Sequence, residues 1–408
     1  MKKTLKKSFL VLISICFAQA AFSLPKGTIE STSSINWVTR KFVSNIKMDT
    51  KKAQIVMPSG KKQASSAITM KMPQLIQDPL LYLYADSSKH IADYVVNENI
   101  TLPQVQAFIQ KGYKTPDVFT SDANSLKTTN TLDIDKLGQL LIKHRYPYSP
   151  EEPIEDVPSR PYTGIIIDAR GKNPVHGEYV KDNTYPCLFP KIWDENMNTI
   201  FEKGMVDPEV IKQSGLVAFD YTENPARYAN RIGSDPLYIK ATEVFGRNRT
   251  DPVIKRRDAL KILTVPENVE LLKQGKVVIL LDQEQLIYNI AVPEKDELYY
   301  AKVEEAQQHL LTNVIEGITF DETIEGPKYI VQLNFYPDSS KLLPGEEKKI
   351  KMIAEDLKNI LLDDGYTIMV EGHTADVGKP TGQLNLSIDR AQAVVNALVS
   401  EGINRNIM

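Results

Sequence analysis

The chain has 408 residues, of which 42% are hydrophobic and 25% are charged, and this composition excludes wholesale disorder and a fibrous class. The formal net charge at pH 7 is only −3, so the concentrated basic face that nucleic-acid binding requires is not expected. The length allows two or three domains, each with its own hydrophobic core.

The first 23 residues have the pattern of a secretory signal peptide. Four lysines within the first seven residues precede an apolar run over residues 9–17, and small residues then offer two cleavage frames. This run is too short to span a bilayer stably, and no later segment has the length and apolarity of a membrane span. We therefore expect a periplasmic protein that is exported by a cleaved signal peptide and has no transmembrane span. Association with the outer membrane is left open.

The two cysteines lie in different settings. Cys16 lies in the signal peptide, where lipid attachment is the less favoured alternative because Ile15 precedes it and that processing prefers a small residue. Cleavage leaves Cys187, so no internal disulfide is expected although the protein is exported. Between Pro186 and Leu188, Cys187 is expected to be a small buried hydrophobe rather than a nucleophile.

Two boundaries divide the rest of the chain. Residues 147–161 are rich in proline and acidic residues without apolar periodicity, which predicts an extended, solvated connector. The second boundary lies at residues 321–328, where Glu325-Gly326-Pro327 separates a helical pattern from a new strand. The predicted α+β multidomain order is a signal peptide (1–23), an N-terminal mainly helical domain (24–146), a linker (147–161), a middle α+β domain (162–320) and a C-terminal domain (321–408).

Periodicity predicts the elements of the first two domains, for which no family is recognised. The N-terminal domain begins with short strands at residues 35–38 and 53–56 and continues with helices at 75–85, 90–96, 103–110 and 134–143. The middle domain has predicted strands at 164–171, 216–221, 237–244 and 277–281 and helices at 224–232, 258–263 and 297–314. This mixture indicates an α+β layer fold.

Polar residues after the first strand of the middle domain allow two interpretations. Asp168 and Arg170 end a buried strand, and the favoured interpretation is a pair that caps the strand and bonds nearby backbone. The alternative is a hydrolase site in which these two residues lie near His176 and Glu178, although the set matches no named mechanism. We therefore predict no catalytic residue, no metal ligand and no cofactor.

The C-terminal domain has the clearest pattern, in the order β-α-β-α. A strand at 329–335 precedes an amphipathic helix at 343–361, and a strand at 366–371 leads through a loop to a second helix. Ser387 is expected to cap that helix, whose first amides favour an anion, and Arg390 adds a planar fork suited to a carboxylate. With an acceptor for an ammonium group in the loop, such a site would recognise a zwitterionic amino-acid head.

Three stretches of this domain resemble the OmpA-like family, which binds the peptide stem of peptidoglycan. They are Phe335-x-x-Asp338-Ser339-Ser340-x-Leu342, the loop from Gly372 to Gly378, and Leu386-Ser387-Ile388-Asp389-Arg390. The resemblance implies a peptidoglycan site formed by Thr374, Asp376, Asn385 and Arg390. It also implies that the chain ends at Met408 before the closing strands and third helix of the family, so a truncated domain is expected.

One position of the resemblance departs from the family. The family's loop carries an aspartate that holds the ligand ammonium group, and Ala375 occupies that position here. Asp376 follows directly, and it replaces the missing acid only if the loop backbone rearranges. His373 is expected to pack and orient the loop rather than to bind.

These observations predict a non-enzymatic cell-envelope protein whose OmpA-like domain associates with the diamino acid of the peptidoglycan stem and tethers or scaffolds the periplasm or outer membrane. The alternative is a structural or assembly protein whose OmpA-like domain has lost peptidoglycan binding and serves protein–protein contacts. In either case, an unidentified envelope protein is the expected partner, and nucleic acid is not.

Overall fold

The computed structural model describes residues 25, 27–56, 58–120, 124–293, 295–360, 366–373 and 380–408, and it omits the side chains of residues 360 and 380–384. The predicted signal peptide therefore lies outside the described residues. Among the helices of the described part, none combines the length and the apolarity that a membrane crossing requires.

The N-terminal region is built on an antiparallel sheet that helices cover on one face. Its strands are β1 (Ile29–Asn36), β2 (Lys41–Asp49), β3 (Tyr113–Lys114), β4 (Val118–Phe119) and β5 (Ser125–Asp133), and its helices are α1 (Lys61–Leu81), α2 (Ile91–Val96), α3 (Leu102–Gln110) and α4 (Ile134–Gln139). The strand β2 buries every second residue, as expected for a sheet with one solvated face. Helix α1 buries Ile68, Met72, Ile76 and Leu80 at a spacing of four residues, which gives it one apolar stripe.

The strand β5 is the main element of this region that was not predicted. It is nine residues long and pairs with β2 along its whole length. Its inward positions include Thr128 and Asn130, which are buried polar residues. The Thr128 hydroxyl donates to the Thr115 carbonyl at 2.8 Å, and the Asn130 amide donates to the Met72 sulfur at 3.2 Å. These hydrogen bonds compensate part of the cost of burying polar side chains, and the strand is buried without an apolar alternation.

The second region contains three further sheets. Its strands are β6 (Ile165–Asp168), β7 (Asn173–Pro174), β8 (Lys181–Asp182), β9 (Ile192–Asp194), β10 (Thr199–Phe201), β11 (Ala218–Asp220), β12 (Leu237–Lys240), β13 (Glu243–Phe245), β14 (Asp251–Ile254), β15 (Val277–Leu280) and β16 (Ile287–Ile290). Its helices are α5 (Pro208–Ser214), α6 (Ala229–Ile232), α7 (Arg256–Leu263), α8 (Pro266–Lys273) and α9 (Gln283–Leu286), with short 3₁₀ turns at Lys203–Met205 and Pro225–Arg227.

A parallel sheet in the order β11-β15-β6-β12 forms the centre of this region, beside a mixed sheet in the order β10-β9-β14-β13 and the short pair β7–β8. All residues of β6 and β15 are buried, which explains why both strands read as continuous apolar runs. The single cysteine of the described residues, Cys187, is also fully buried, and burial raises the pKa of its thiol. The prediction that Cys187 is buried is confirmed.

The first two regions share one hydrophobic core. Strand β16 leaves the second region and pairs antiparallel with β1, with Ser33 opposite Ile290 and Asn36 opposite Ile287. At the end of this ladder, the buried Trp37 packs edge-on against Phe219 of the parallel sheet, with 5.9 Å between ring centroids. Residues 27–290 are therefore called the body below.

The proline-rich segment 147–161 has no regular secondary structure, as expected for an extended connector. Its middle is solvated, and Ile154 is fully exposed. Its two ends, however, are bonded to the body. The Tyr148 hydroxyl donates to Glu202 at 2.7 Å, and the Ser159 hydroxyl donates to the carbonyl of Lys261 at 2.8 Å. The segment is therefore fastened to the body at both ends and is not the freely solvated spacer that was predicted.

The C-terminal module comprises the described residues between 297 and 408. Its elements are α10 (Glu297–Thr312), β17 (Ile318–Glu322), β18 (Pro327–Val331), α11 (Glu347–Ile360), α12 (Pro380–Ser400) and a 3₁₀ turn at Arg405–Ile407. Strands β17 and β18 form an antiparallel hairpin, and the proposed boundary at residues 321–328 coincides with its turn.

Two details of this module differ from the prediction. The predicted strand at 366–371 has no assigned strand structure, although Ile368 and Val370 pack against the core around Ala354 and Leu398. Helix α10 also belongs to this module and not to the middle region. His309 of α10 lies 2.7 Å from the buried carboxylate of Asp356 on α11, and burial raises the pKa of that carboxyl group.

Candidate functional site

A tight turn between β18 and α11 presents a backbone carbonyl at the predicted site. Phe335 and Leu342 form an isolated antiparallel bridge, and between them the Tyr336 amide donates to the Lys341 carbonyl at 2.9 Å. Within this turn Asp338 has a φ of 47°, a left-handed conformation that aspartate tolerates better than most residues. The turn places the carbonyl oxygen of Ser339 next to α12.

Arg390 of α12 is held by two contacts with this turn. Its Nε donates to the Ser339 carbonyl at 3.2 Å, and its guanidinium carbon lies 4.8 Å from the ring centroid of Phe335. Within the described residues, Nη1 and Nη2 of Arg390 have no hydrogen-bond partner. The guanidinium is therefore oriented from one edge and one face, and its outer edge can donate two parallel hydrogen bonds to a carboxylate.

The segment before the predicted ligand loop lies directly on α12. A Cβ atom at Gly372 would lie 2.2 Å from the backbone oxygen of Ser387 and 3.2 Å from the Cβ of Ala391, so no side chain fits there. The first glycine of the loop is therefore required by close packing of the segment against the helix.

The helix itself begins earlier than predicted. Helix α12 starts at Pro380, and proline is well suited to the first turn of a helix. Ser387 lies two turns inside α12 and is buried, so it cannot be the N-cap that the sequence analysis expected. The amides around Arg390 are engaged within the helix, and an anion at this site would depend on the guanidinium rather than on a free helix end.

The predicted binding residues fall into two groups. Thr374, Ala375 and Asp376 lie outside the described residues. Asn385 and Arg390 are both on α12, but five residues separate them, which corresponds to about 140° around a helix axis. Arg390 thus shares a face with Leu386 and Ser387 rather than with Asn385.

His373 differs from its expected role. Its side chain is 86% exposed and lies 3.9 Å from the carboxylate of Glu371. The prediction that it packs and orients the loop is wrong, because almost none of the ring is buried. Glu371 in turn lies 3.3 Å from Nε of Arg247, which belongs to the body.

The residues of the alternative hydrolase site are engaged in separate ion pairs. Arg170 donates to both oxygens of Asp168 at 2.7 Å, and Tyr238 also hydrogen-bonds this carboxylate. Burial acts to raise the pKa of Asp168, but these hydrogen bonds outweigh it and hold the pKa below its usual value.

His176 pairs with Glu243 at 2.5 Å, and Glu178 pairs with Arg249 at 2.6 Å. Over the part of the chain that the structure describes, no three acidic, histidine or cysteine side chains are grouped as a metal site would require.

Sequence reasoning missed the two residues that orient Arg390. Phe335 and Ser339 belong to the motif that carried the resemblance, but their relation to a helix some fifty residues later is a tertiary contact. The presence of an aromatic residue and an arginine in two stretches of the same family resemblance was the signal that could have indicated it.

Three family models match separate stretches of the chain. Residues 28–140 match the N-terminal domain of Treponema pallidum Tp0624, and residues 164–283 match the second domain of the same protein. Residues 334–408 match the OmpA family. No curated protein matches the chain. The site built around Arg390 thus lies within the C-terminal stretch that matches the OmpA family, and this stretch follows two regions similar to consecutive domains of Tp0624.

Proposed function

We propose that the protein is a non-enzymatic component of the cell envelope whose OmpA-family domain associates with peptidoglycan. In this proposal the protein is exported to the periplasm and holds the wall through the free end of the stem-peptide diamino acid. The body, carried on the same chain, then tethers or scaffolds an envelope protein of the periplasm or outer membrane.

The observation that carries this proposal is the orientation of Arg390. The Ser339 carbonyl and the Phe335 ring fix one edge and one face of the guanidinium, so little side-chain entropy remains to be lost when a carboxylate binds. Bidentate arginine–carboxylate pairs combine charge with defined geometry, which suits recognition of an amino-acid carboxylate.

Ala375 weakens the expected grip on the ammonium group of the ligand. Loss of one hydrogen bond to a charged group costs about 1.5–3 kcal/mol, which corresponds to roughly a ten- to hundred-fold loss of affinity. We propose that Asp376 recovers part of this loss, with Thr374 and Asn385 as further contributors to the site.

Co-sedimentation of the mature protein with purified sacculi tests the proposal. We expect the wild type to pellet and Arg390→Ala to remain in the supernatant. Arg390→Lys should bind weakly, because lysine keeps the charge but lacks the planar guanidinium group. Arg405→Ala is the matched control, since it removes a cation of the same module whose partner is Asn396 rather than the turn. Equal pelleting of Arg390→Ala and the wild type would contradict the assigned role of Arg390.

The substitution at Ala375 favours one alternative, in which the domain has given up the wall and serves protein–protein contacts. Under this alternative the wild type does not pellet, whereas Ala375→Asp gains binding on an otherwise intact fold. The same sedimentation series therefore separates the two functions.

A further inference from the structure

The C-terminal module contacts the body through a polar junction. The two parts have separate hydrophobic cores among the described residues, and Ile324, in the hairpin turn, packs against the core of the body. Beside it lies a cavity of about 230 Å³ whose charged lining residues are Lys89, Asp93, Arg247, Asp321, Glu325 and Lys328. Interfaces of this kind normally permit relative motion of the two parts.

Glu325 crosses this junction from the tip of the hairpin. The turn of the hairpin is closed by hydrogen bonds between Thr323 and Gly326, and Gly326 has a φ of 146°, a backbone conformation that favours glycine. One carboxylate oxygen lies 3.0 Å from Nε2 of His90, and the other accepts a hydrogen bond from Arg247. The hairpin tip thus binds residues from both regions of the body at once.

The slot that receives Glu325 on the body is formed by His90 and Arg247. His90 is buried between the rings of Tyr82 and Tyr84, at 5.0 Å from each centroid, and its Nδ1 lies 2.6 Å from the Tyr82 carbonyl. Both ring nitrogens of His90 therefore face oxygen acceptors, one on the body and one on the hairpin tip. The hydrogen bond from His90 is the main cause that holds the pKa of Glu325 below its usual value.

Arg247 connects this slot to the candidate functional site. The same guanidinium that binds Glu325 lies 3.3 Å from the carboxylate of Glu371. Glu371 immediately precedes Gly372, which packs on the backbone of α12. The orientation of the segment that leads into the ligand loop is therefore linked to the body through one arginine.

We propose that His90, Arg247, Glu325 and Glu371 form an ionic latch that docks the C-terminal module on the body and can be released. With the latch closed, the module and its site have one orientation relative to the body. With the latch open, the module stays joined to the body through the chain that connects β16 to α10, and displacements on the order of 10 Å become possible. The latch goes beyond the proposed function and does not require peptidoglycan as the ligand.

A distance measurement between two spin labels tests the latch. Tyr179 on the body and Val314 on the module are each 81% exposed, and cysteines introduced there would carry the labels, whereas the buried Cys187 would not react. We expect one narrow distance distribution in the full chain with an intact latch. Glu325→Gln, which keeps the shape but removes the charge, and Arg247→Gln should each broaden it by roughly 10 Å.

Two controls make the result decisive. Glu322→Gln lies on the same hairpin but pairs with Lys295, outside the slot, and is expected to keep the narrow distribution. The double variant Glu325→Gln with Arg247→Gln weakens the contacts of Glu325 with both His90 and Arg247, and its distribution should be at least as broad as that of either single variant. Unchanged circular dichroism would establish that the variants fold. Narrow distributions in both Glu325→Gln and Arg247→Gln would overturn the latch, whatever the outcome of sacculus binding.

Discussion

At the scale of single residues, the aromatic ring under Arg390 helps to fix the position of the charge. An arginine in solution samples many rotamers, whereas here the guanidinium rests 4.8 Å above Phe335 and donates sideways to a carbonyl. A cation–π contact at a partly exposed site contributes about 0.5–1 kcal/mol. Phe335 is thus a positioning residue that acts through Arg390.

Phe335→Leu is therefore expected to weaken wall binding roughly two- to five-fold without unfolding the module, because it removes the cation–π contact but keeps apolar volume. A titration of sacculi in the sedimentation assay measures the change. Tyr336→Leu is the control, since the ring of Tyr336 lies under Lys341 and not under Arg390. An equal loss in both variants would point to a general effect on the turn.

The residues of the site also show how far a sequence can predict it. The motif predicted Arg390 as a binding residue, and the structure places its guanidinium against the turn of another motif, whereas its binding role stays a prediction. The failure at Ser387 has a different origin, since a serine followed by a helical pattern reads as an N-cap even when the helix begins two turns earlier. Local patterns do not distinguish an N-cap from a buried helical serine.

At the scale of elements, close contacts between backbones decide which positions tolerate change. Gly164 lies just before β6, where a Cβ atom would be 2.3 Å from the Cβ of Ile232 and 2.5 Å from its Cα. Gly138, inside α4, is different, because a Cβ atom there would be 3.7 Å from Phe189, an ordinary contact distance.

Gly164→Ala should accordingly destabilise the body by about 1–3 kcal/mol through overpacking. Gly138→Ala should leave stability unchanged or raise it by up to about 1 kcal/mol, because alanine favours the helix. Urea denaturation of the two variants beside the wild type measures both effects. A stable Gly164→Ala would mean that α6 can move away from β6 at little cost.

Element prediction succeeded where burial follows a simple period. Predicted helices at 90–96 and 103–110 correspond to α2 and α3, and the apolar run at 277–281 corresponds to β15. Strand β5 could not be predicted, because hydrogen-bonded Thr128 and Asn130 occupy inward positions that the alternation rule reserves for apolar residues.

At the scale of the whole molecule, the chain has fewer independent parts than its sequence boundaries indicate. The family matches end at residue 140 and resume at residue 164, yet both stretches contribute to one core. The contacts that merge them, such as Trp37 with Phe219 and β1 with β16, join residues about 180 to 255 positions apart. Such pairings leave no local pattern, which is why composition predicted a boundary where the structure has continuous packing.

The two tryptophans can show whether the two regions unfold together, because Trp37 lies in the first region and Trp193 lies in the second. Trp193→Phe and Trp37→Phe each leave a single tryptophan. We expect each variant to show one fluorescence transition in urea. The two midpoints should coincide once each midpoint is corrected for the variant's own stability. Calorimetry of each variant provides that correction, and calorimetry of the wild type is expected to resolve the C-terminal module as a separate transition. Widely separated tryptophan midpoints would mean that the two regions unfold independently.

The pairing of β16 with β1 also has a mechanical consequence. Because these strands are antiparallel, the chain enters β1 and leaves β16 at the same end of their ladder. Under the proposed function, a force could pull on the segment before β1 and on a wall-bound C-terminal module. This force would separate the residue pairs of the ladder one after another rather than all at once. The four residues of β16 would then supply about 13 Å of extension before the force reached the parallel sheet. In the proposed tether, β16 would separate first, at the edge of its sheet, and the core behind it would stay folded.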